Sequence, residues 1–113
     1  MNYWCPMRIL LDECVPRPLR RELTGHDVRT IREMGWAGKK NGELLVLMAG
    51  AGFEVLLTVD QNLRYQQNLA ASGVAVVVMV ASTNRLADLV PLIPKVEAAL
   101  SSIQAGDVVE VSA

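Results

Sequence analysis

The sequence predicts a three-layer α/β domain, in which a doubly wound, mainly parallel sheet lies between two layers of helices. Its 113 residues suffice for one hydrophobic core but not for two domains. Hydrophobic residues make up 51% of the chain and aromatic residues only 4%, which favours a buried parallel sheet over a β-sandwich. Short apolar runs also alternate with helix-like segments. We therefore expect a single domain over residues 1–113, with residues 1–6 as an extension if Met7 is the natural start.

The first part of the chain predicts a strand, a helix and a second strand. Residues 8–11 form a short apolar run that stops at an acidic pair, which is typical of a buried strand. Pro16 and Pro18 mark the start of a helix with apolar residues at helical spacing, and Gly25 ends it. Residues 27–31 alternate and include β-branched side chains, so they predict a strand.

The middle of the chain continues the alternation. Residues 35–42 contain glycine and lysine and predict a loop, which leads into a Leu- and Met-rich helix over residues 43–51. Residues 53–59 are apolar and predict the third strand, and residues 62–71 predict a helix. Residues 74–80 are the most hydrophobic stretch, so we expect a central or fully covered strand there.

The last part predicts a broken helix and an edge strand. Residues 84–102 are helical in character, but Pro91 and Pro94 should divide them into a short and a longer piece. Residues 106–111 predict the closing edge strand. In a doubly wound sheet of this kind, ligands bind outside the carboxyl ends of the strands, near the point where the strand order reverses.

The overall charge argues against a protein that coats nucleic acid, since the formal net charge is −1. The distribution is uneven, however. Residues 1–40 carry eight basic and five acidic groups, whereas residues 41–113 carry three basic and seven acidic groups. A local basic face is compatible with this pattern.

The cysteines and the hydropathy pattern predict a cytoplasmic protein. Cys5 and Cys14 are too few for a disulfide framework and lack the paired spacing of zinc sites, so we interpret both as reduced thiols. There is no run of 18 apolar residues, which argues against a membrane partner. The opening stretch lacks the features of a signal peptide.

Acidic residues follow two of the predicted strands. Asp12 and Glu13 end the first strand, and Asp60 ends the third. A parallel sheet brings such residues to the same edge, where like charges repel one another. A divalent cation removes that repulsion, and hard oxygen ligands suit Mg²⁺ or Mn²⁺. Glu43 and Asn62 are positioned to complete such a site.

Each of these residues also has a simpler interpretation. An acid at a strand end is often a solvated loop residue or a helix N-cap. Glu43 lies at a helix start, where an acid interacts favourably with the helix dipole. Asn62 is equally suited to cap its own helix. Acids at two strand ends together favour the metal-site interpretation.

Three sequence stretches resemble the signature segments of the PIN-like nuclease superfamily. They are MRILLDE at residues 7–13, KNGELL at residues 40–45 and LTVDQNL at residues 57–63. The resemblance extends over residues 7–105 and is closest to a compact branch of uncharacterised domains, often suggested to be toxins of toxin–antitoxin pairs. It implies a PIN-like fold and metal-dependent hydrolysis of RNA phosphodiesters.

The resemblance also implies which residues form the site. Asp12, Glu43 and Asp60 match the acidic residues that bind Mg²⁺ or Mn²⁺ and carry catalysis, although Asn41 competes with Glu43 for the middle position. Asn62 matches the last position by spacing only, because an aspartate is commoner there. Three carboxylates and an amide hold a cation less tightly than four carboxylates, so either the ion binds only together with substrate or the chain is a poor catalyst.

Basic and aromatic residues supply candidates for contact with single-stranded RNA. The candidate contacts to the RNA backbone are Arg17, Arg20, Arg21, Lys39, Lys40 and Arg64. The arginines of the first helix are equally well explained as a solvated face. Trp4, Trp36 and Tyr65 are candidates for base stacking, although packing within the protein is the simpler role. His26 is a lone histidine with an expected structural role.

Other functions and partners fit parts of the pattern. A signalling receiver domain has similarly placed acids, but it predicts a lysine at the end of the last strand, which is absent here. A non-catalytic PIN-like protein-binding module would explain Asn62. Apolar residues expected on the surface, chiefly Trp4, Trp36 and Met48, suggest a homodimer or a groove for a small antitoxin protein.

Overall fold

The computed structural model describes residues 7–39, 41–60 and 73–113. The strands are β1 (Arg8–Leu11), β2 (Asp27–Thr30), β3 (Val55–Thr58), β4 (Ala75–Val80) and β5 (Val108–Ser112). They form one sheet in the spatial order β2-β1-β3-β4-β5, and every neighbouring pair is parallel. The predicted parallel α/β architecture is confirmed.

Helical segments connect the strands. They are the 3-10 helix η1 (Arg17–Glu22), α1 (Asn41–Gly50), α2 (Leu86–Leu89), the 3-10 helix η2 (Val90–Leu92) and α3 (Ile93–Leu100). The helix predicted over residues 62–71 lies outside the described residues. Within the described part of the chain, no helix has the length and apolar character needed to cross a membrane.

The sheet is covered on both faces because its strand residues alternate between two hydrophobic cores. In β1, Ile9 and Leu11 belong to a core shared with η1, α2 and α3, whereas Leu10 belongs to a core shared with α1. The same alternation runs through β3 and β4, all of whose side chains are buried except that of Val80. A strand with two buried faces must be apolar along its length, which explains the continuous apolar runs in the sequence.

The strand order reverses at β1. From β1 the chain first adds β2 on one side and then returns to add β3 on the other, so the reversal point lies between the carboxyl ends of β1 and β3. Leu11 is in register with Thr30 of β2 and with Leu57 of β3. The ends of the three strands are therefore level, and residues that follow them share one edge of the sheet.

The first helix differs from the sequence prediction, because residues 17–22 form a 3-10 helix. The Leu19 N–H donates to the Pro16 carbonyl, and the Leu23 N–H donates to the Arg20 carbonyl. The segment is only six residues long, and short helical connectors are where 3-10 geometry is most often found. Gly25 then turns the chain with φ of 92°, a conformation that favours glycine.

The predicted break within residues 84–102 is confirmed. Pro91 lies in the first turn of η2 and Pro94 in the first turn of α3, where a missing N–H removes no helical bond. The helix begins at Leu86 rather than at residue 84, and the Asn84 side chain instead donates to the carbonyl of Cys14. β5 is an edge strand, as predicted, but it runs from Val108 to Ser112.

The expectation that Met48 and Trp36 are exposed was wrong. Met48 is fully buried in the core beneath α1, and Trp36 packs edge-on against Phe53 with ring centroids 5.8 Å apart. The exposed large apolar side chains among the described residues are Val46 and Val108. Trp4 lies outside the described residues.

His26 has the structural role expected of it. Its side chain is only 6% exposed, and its Nδ1 accepts a hydrogen bond of 3.0 Å from the N–H of Met7 at the start of β1. Nε2 lies 2.8 Å from a carboxylate oxygen of Glu97 in α3. Because Nδ1 accepts, the hydrogen of the neutral ring lies on Nε2 and is donated to Glu97.

Removing the His26 ring should loosen the packing of α3 against β1. We expect His26→Ala to lower the free energy of unfolding by about 1–3 kcal/mol, because the Met7 N–H loses a shielded partner. Glu97→Gln keeps an oxygen that accepts from Nε2, so its effect should be smaller. Urea unfolding of both variants checks the order, and a His26→Ala variant as stable as the wild type would contradict it.

Candidate functional site

Asp12 and Asp60 follow the carboxyl ends of two adjacent strands, as the sequence predicts. Asp12 comes directly after β1, and its N–H donates to the carbonyl of Leu57 in β3 at 3.0 Å. Asp60 lies two residues beyond the end of β3. Asp12 is half-buried and Asp60 is exposed. The reversal point of the sheet therefore has one acid held within the edge and a second acid facing solvent.

The hydroxyl of Thr58 links the two acids. It donates to Oδ2 of Asp12 at 2.7 Å and accepts from the N–H of Asp60 at 3.1 Å. Thr58 is fully buried and is the only buried polar residue among those described. One shielded hydroxyl therefore fixes the Asp12 carboxylate relative to the backbone that carries Asp60.

The Asp12 carboxylate is oriented without being saturated. Its Oδ1 accepts from the N–H of Glu13 at 2.8 Å, and its Oδ2 accepts from Thr58. An ionised carboxylate has about four lone-pair positions. These contacts leave Oδ1 with capacity for a further partner, such as a cation or a water.

Cys14 is a free thiol beside this acid. Its Sγ lies 3.7 Å from Oδ2 of Asp12 and 3.6 Å from the Thr58 hydroxyl. Burial, together with the nearby Asp12 carboxylate, raises the pKa of the Cys14 thiol, so the group stays protonated at neutral pH. The Asn84 amide donates to the Cys14 carbonyl at 3.0 Å and ties the loop after β4 to the same edge.

The other predicted ligands make different contacts. Glu13 accepts a hydrogen bond from the N–H of Gly38 at 3.0 Å, which holds the loop after β2. Glu43 lies in the first turn of α1 with a side chain 60% exposed, and its carboxylate is 3.7 Å from Nζ of Lys39. Asn62 lies outside the described residues, as does the Asn41 side chain.

No group of three or more His, Cys, Asp or Glu residues within residues 7–39, 41–60 and 73–113 is arranged to hold a metal ion. Among the predicted ligands that are described, Asp12 and Asp60 are the two that share a hydrogen-bonding partner, the Thr58 hydroxyl. Mg²⁺ is often bound by only one or two carboxylates, with waters and substrate phosphate completing its coordination. A two-acid edge is compatible with that mode of binding.

The described basic candidates differ in how firmly they are held. Arg20 makes two bonds of 2.9 Å to the Glu33 carboxylate, whereas Arg17 approaches it only to 4.0 Å and has a side chain 66% exposed. Arg21 is exposed. Lys39 is paired with Glu43. Two further candidates, Lys40 and Arg64, lie outside the described residues.

Glu33 organises this basic group. The N–H of Thr30, followed by the Arg20 guanidinium, lowers the pKa of the Glu33 carboxyl to about 2. Glu33 is therefore ionised throughout the physiological range. It holds Arg20 firmly and attracts Arg17 more weakly.

A cleft of about 530 Å³ opens beside Asp12, between the carboxyl ends of β1 and β2. Its apolar lining includes Val15, Pro16, Ile31 and Ala37. Its charged lining consists of Asp12, Glu13, Arg17, Arg32 and Glu33. The cleft therefore combines an apolar surface with acids at one strand end and basic groups on the following turns.

Sequence reasoning missed several residues of this edge. Thr58 was part of a recognised motif, but a single hydroxyl in an apolar strand gave no sign of which atom it would bond. Its position two residues before Asp60, as the lone polar residue of a buried run, is the signal that was available. Arg32, Glu33 and Asn84 lie in turns, and their roles depend on contacts with distant parts of the chain.

Comparison with known proteins identifies the class of protein. A family model described as a PIN like domain matches residues 7–81, which is more than half of the chain. The chain therefore belongs to the PIN-like domain family, and the predicted resemblance to the PIN-like superfamily is confirmed over these residues. PIN domains generally use divalent metals. No curated protein and no solved structure matches the chain.

Removing the Thr58 hydroxyl should destabilise the edge. We expect Thr58→Val to lower the free energy of unfolding by about 1–3 kcal/mol, because the Asp60 N–H and the Asp12 carboxylate lose a buried partner while the volume is kept. Thr58→Ser keeps the hydroxyl and loses one methyl group, for about 0.8 kcal/mol. Denaturant unfolding should rank valine below serine, and a valine variant as stable as the wild type would contradict the assigned role.

The lowered pKa of Glu33 predicts an acid-dependent contribution to stability. A carboxyl whose pKa falls on folding stabilises the protein above its unfolded pKa and loses that effect as the pH drops through the folded value. The advantage of wild type over Glu33→Gln should therefore be largest above about pH 4.5 and should shrink towards pH 2. Melting curves across this range test the window. The exposed acid Glu22, changed to Gln, is the control, and a gap independent of pH would contradict the prediction.

Proposed function

We propose that this protein is a metal-dependent ribonuclease that hydrolyses RNA phosphodiesters with Mg²⁺ or Mn²⁺. The observation that carries the proposal is the Thr58 hydroxyl bond that links the Asp12 carboxylate to the backbone of Asp60 at the reversal point of the sheet. Membership of the PIN-like family supports a nuclease-like activity. Metal binding by Glu43 and Asn62, and RNA as the substrate, are parts of the same proposal.

The oxygen donors of the edge fit a hard divalent cation. Asp12 has lone-pair capacity on Oδ1, and Asp60 is exposed where a phosphate can approach. Asp12 and Asp60 would hold the ion, with Glu43 and Asn62 as further candidates. Such an ion lowers the pKa of a bound water and stabilises the charge that grows on a scissile phosphate.

The chain's own residues prepare the site for this chemistry. Thr58 fixes the direction of the Asp12 carboxylate from a buried position. The Glu13 N–H restrains the other oxygen of the same group. A ligand held in this way does not need to be reoriented when phosphate arrives, which is the preorganisation expected of a catalytic centre.

The resemblance to compact toxin components supports a further part of the proposal, that the protein is the toxin of a toxin–antitoxin pair. On this interpretation the protein acts in the cytoplasm on single-stranded RNA, and a small antitoxin protein inhibits it. A homodimer is a further candidate state, for which Val46 and Val108 are the exposed apolar side chains among the described residues. The second candidate function is a non-catalytic PIN-like binding module, favoured by Asn62, which stands where an aspartate is commoner in the family.

Changing Asp60 to Asn tests metal binding and cleavage together. Mn²⁺ at about 100 times its Kd should stabilise the wild type by about 2.7 kcal/mol, and the variant should gain less because it binds the ion more weakly. Losing a group that only orients a metal ligand typically lowers activity by about 10- to 100-fold. Asp60 is proposed to bind the ion itself, so cleavage of single-stranded RNA should fall by more than about 100-fold. Since Asp60 is exposed, the variant should still fold.

The matched control is Glu22→Gln, which removes an exposed acid that does not line the cleft beside Asp12 and is purified in the same way. A contaminating ribonuclease would cut equally in all three preparations. Equal Mn²⁺ stabilisation and equal cleavage in wild type and Asp60→Asn would exclude the proposed site. A wild type that binds Mn²⁺ without cleaving RNA would favour the binding-module function instead.

A further inference from the structure

We propose that the cleft between the carboxyl ends of β1 and β2 binds one unpaired nucleotide of the substrate, next to the phosphate held at Asp12. The inference rests on the proposed function, because it assigns the scissile phosphate to the acidic edge. It goes further by naming the subsite that selects single-stranded substrate and the residues that form it.

The cleft lies directly beside the acidic edge and has the size of a small-ligand pocket. Asp12 lines it directly, so a nucleotide that occupies the cleft can place a phosphate against the cation proposed at the Asp12 carboxylate. The volume of about 530 Å³ falls in the range of about 300–1,000 Å³ that is usual for small-ligand pockets. It is a pocket for a single unit of a polymer rather than a groove for a duplex.

Part of the cleft lining is apolar. Val15, Pro16, Ile31 and Ala37 offer apolar surface to a base or a ribose. A base inside a duplex is stacked and paired, so only an unpaired base can enter a pocket of this kind. The apolar surface therefore favours single-stranded substrate.

Two arginines of the cleft are suited to bind phosphate. Arg17 and Arg32 line the cleft and are exposed, and guanidinium groups bind phosphate with charge-assisted hydrogen bonds. Arg17 is drawn towards Glu33 at 4.0 Å, while Arg20 satisfies both oxygens of that carboxylate at 2.9 Å. Arg17 therefore remains available to a second phosphate of the bound strand. The acids and the arginines thus suit two successive phosphates.

A binding experiment tests the charged part of the subsite. The probe is a fluorescent single-stranded RNA of eight nucleotides, titrated in Ca²⁺, with its integrity checked on a gel. The double variant Arg17→Gln, Arg32→Gln should bind roughly tenfold more weakly and should lose about 1.4 units of salt-dependence slope, because each phosphate contact on a single strand contributes about 0.7. The control is Arg29→Gln, because Arg29 is exposed but does not line the cleft. Its affinity should match the wild type.

The base-binding part is tested with modified probes. An abasic site moved along the same oligonucleotide should weaken binding at one position, and pairing the probe into a duplex should weaken it as well. Equal affinity of wild type and double variant would overturn the subsite. Tight duplex binding, or no abasic effect at any position, would overturn the unpaired nucleotide.

Parallel cleavage assays in Mn²⁺ separate this inference from the proposed function. If the wild type cleaves RNA and the double variant has the same KM and affinity, nucleotide binding in the cleft is excluded and the ribonuclease function is retained. Wild type that binds the probe through Arg17 and Arg32 but never cleaves it would support the cleft and overturn the ribonuclease.

Discussion

The edge of this sheet depends on one buried hydroxyl. Thr58 is fully enclosed, and both of its hydrogen-bonding roles are used, one towards the Asp12 carboxylate and one towards the Asp60 N–H. A buried polar group without partners is costly, so the position of the hydroxyl and the positions of both partners are mutually required. The strand register brings Leu11 level with Leu57, and Thr58 fixes the geometry that follows.

This arrangement follows from a sheet that is buried on both faces. The described strand residues of β1, β3 and β4 are almost entirely apolar and belong to one of the two cores. Polar chemistry is therefore confined to the strand ends, where backbone groups meet solvent and loops begin. At the reversal of strand order the chain leaves β1 and β3 in opposite lateral directions. The cleft opens beside this point, between the carboxyl ends of β1 and β2.

The sequence predicted those parts of the molecule that depend on local pattern. Apolar runs identified the strands, and the acids at their ends identified the edge, because parallel strands point their carboxyl ends the same way. The 3-10 form of η1 was missed because the spacing of Leu19 and Leu23 does not distinguish a short 3-10 connector from a short α-helix. The burial of Met48 was missed because apolar residues lie on several sides of α1, and only the assembled sheet determines which side is covered. The pairing of Arg20 with Glu33 joins residues 13 positions apart and has no local signature.

The small number of acids changes how selectivity would arise in the proposed ribonuclease. An ion held mainly by Asp12 and Asp60 needs oxygen atoms from water and phosphate to complete its shell, so ion and substrate stabilise each other's binding. Such coupling is reciprocal, and whatever places the phosphate also strengthens the metal. The cleft beside Asp12 is then more than a passive surface, because a nucleotide seated in it would raise the affinity for the ion at the moment of cleavage. On this view a weak metal site is compatible with a selective enzyme, since the ion is held firmly only when the correct strand occupies the edge.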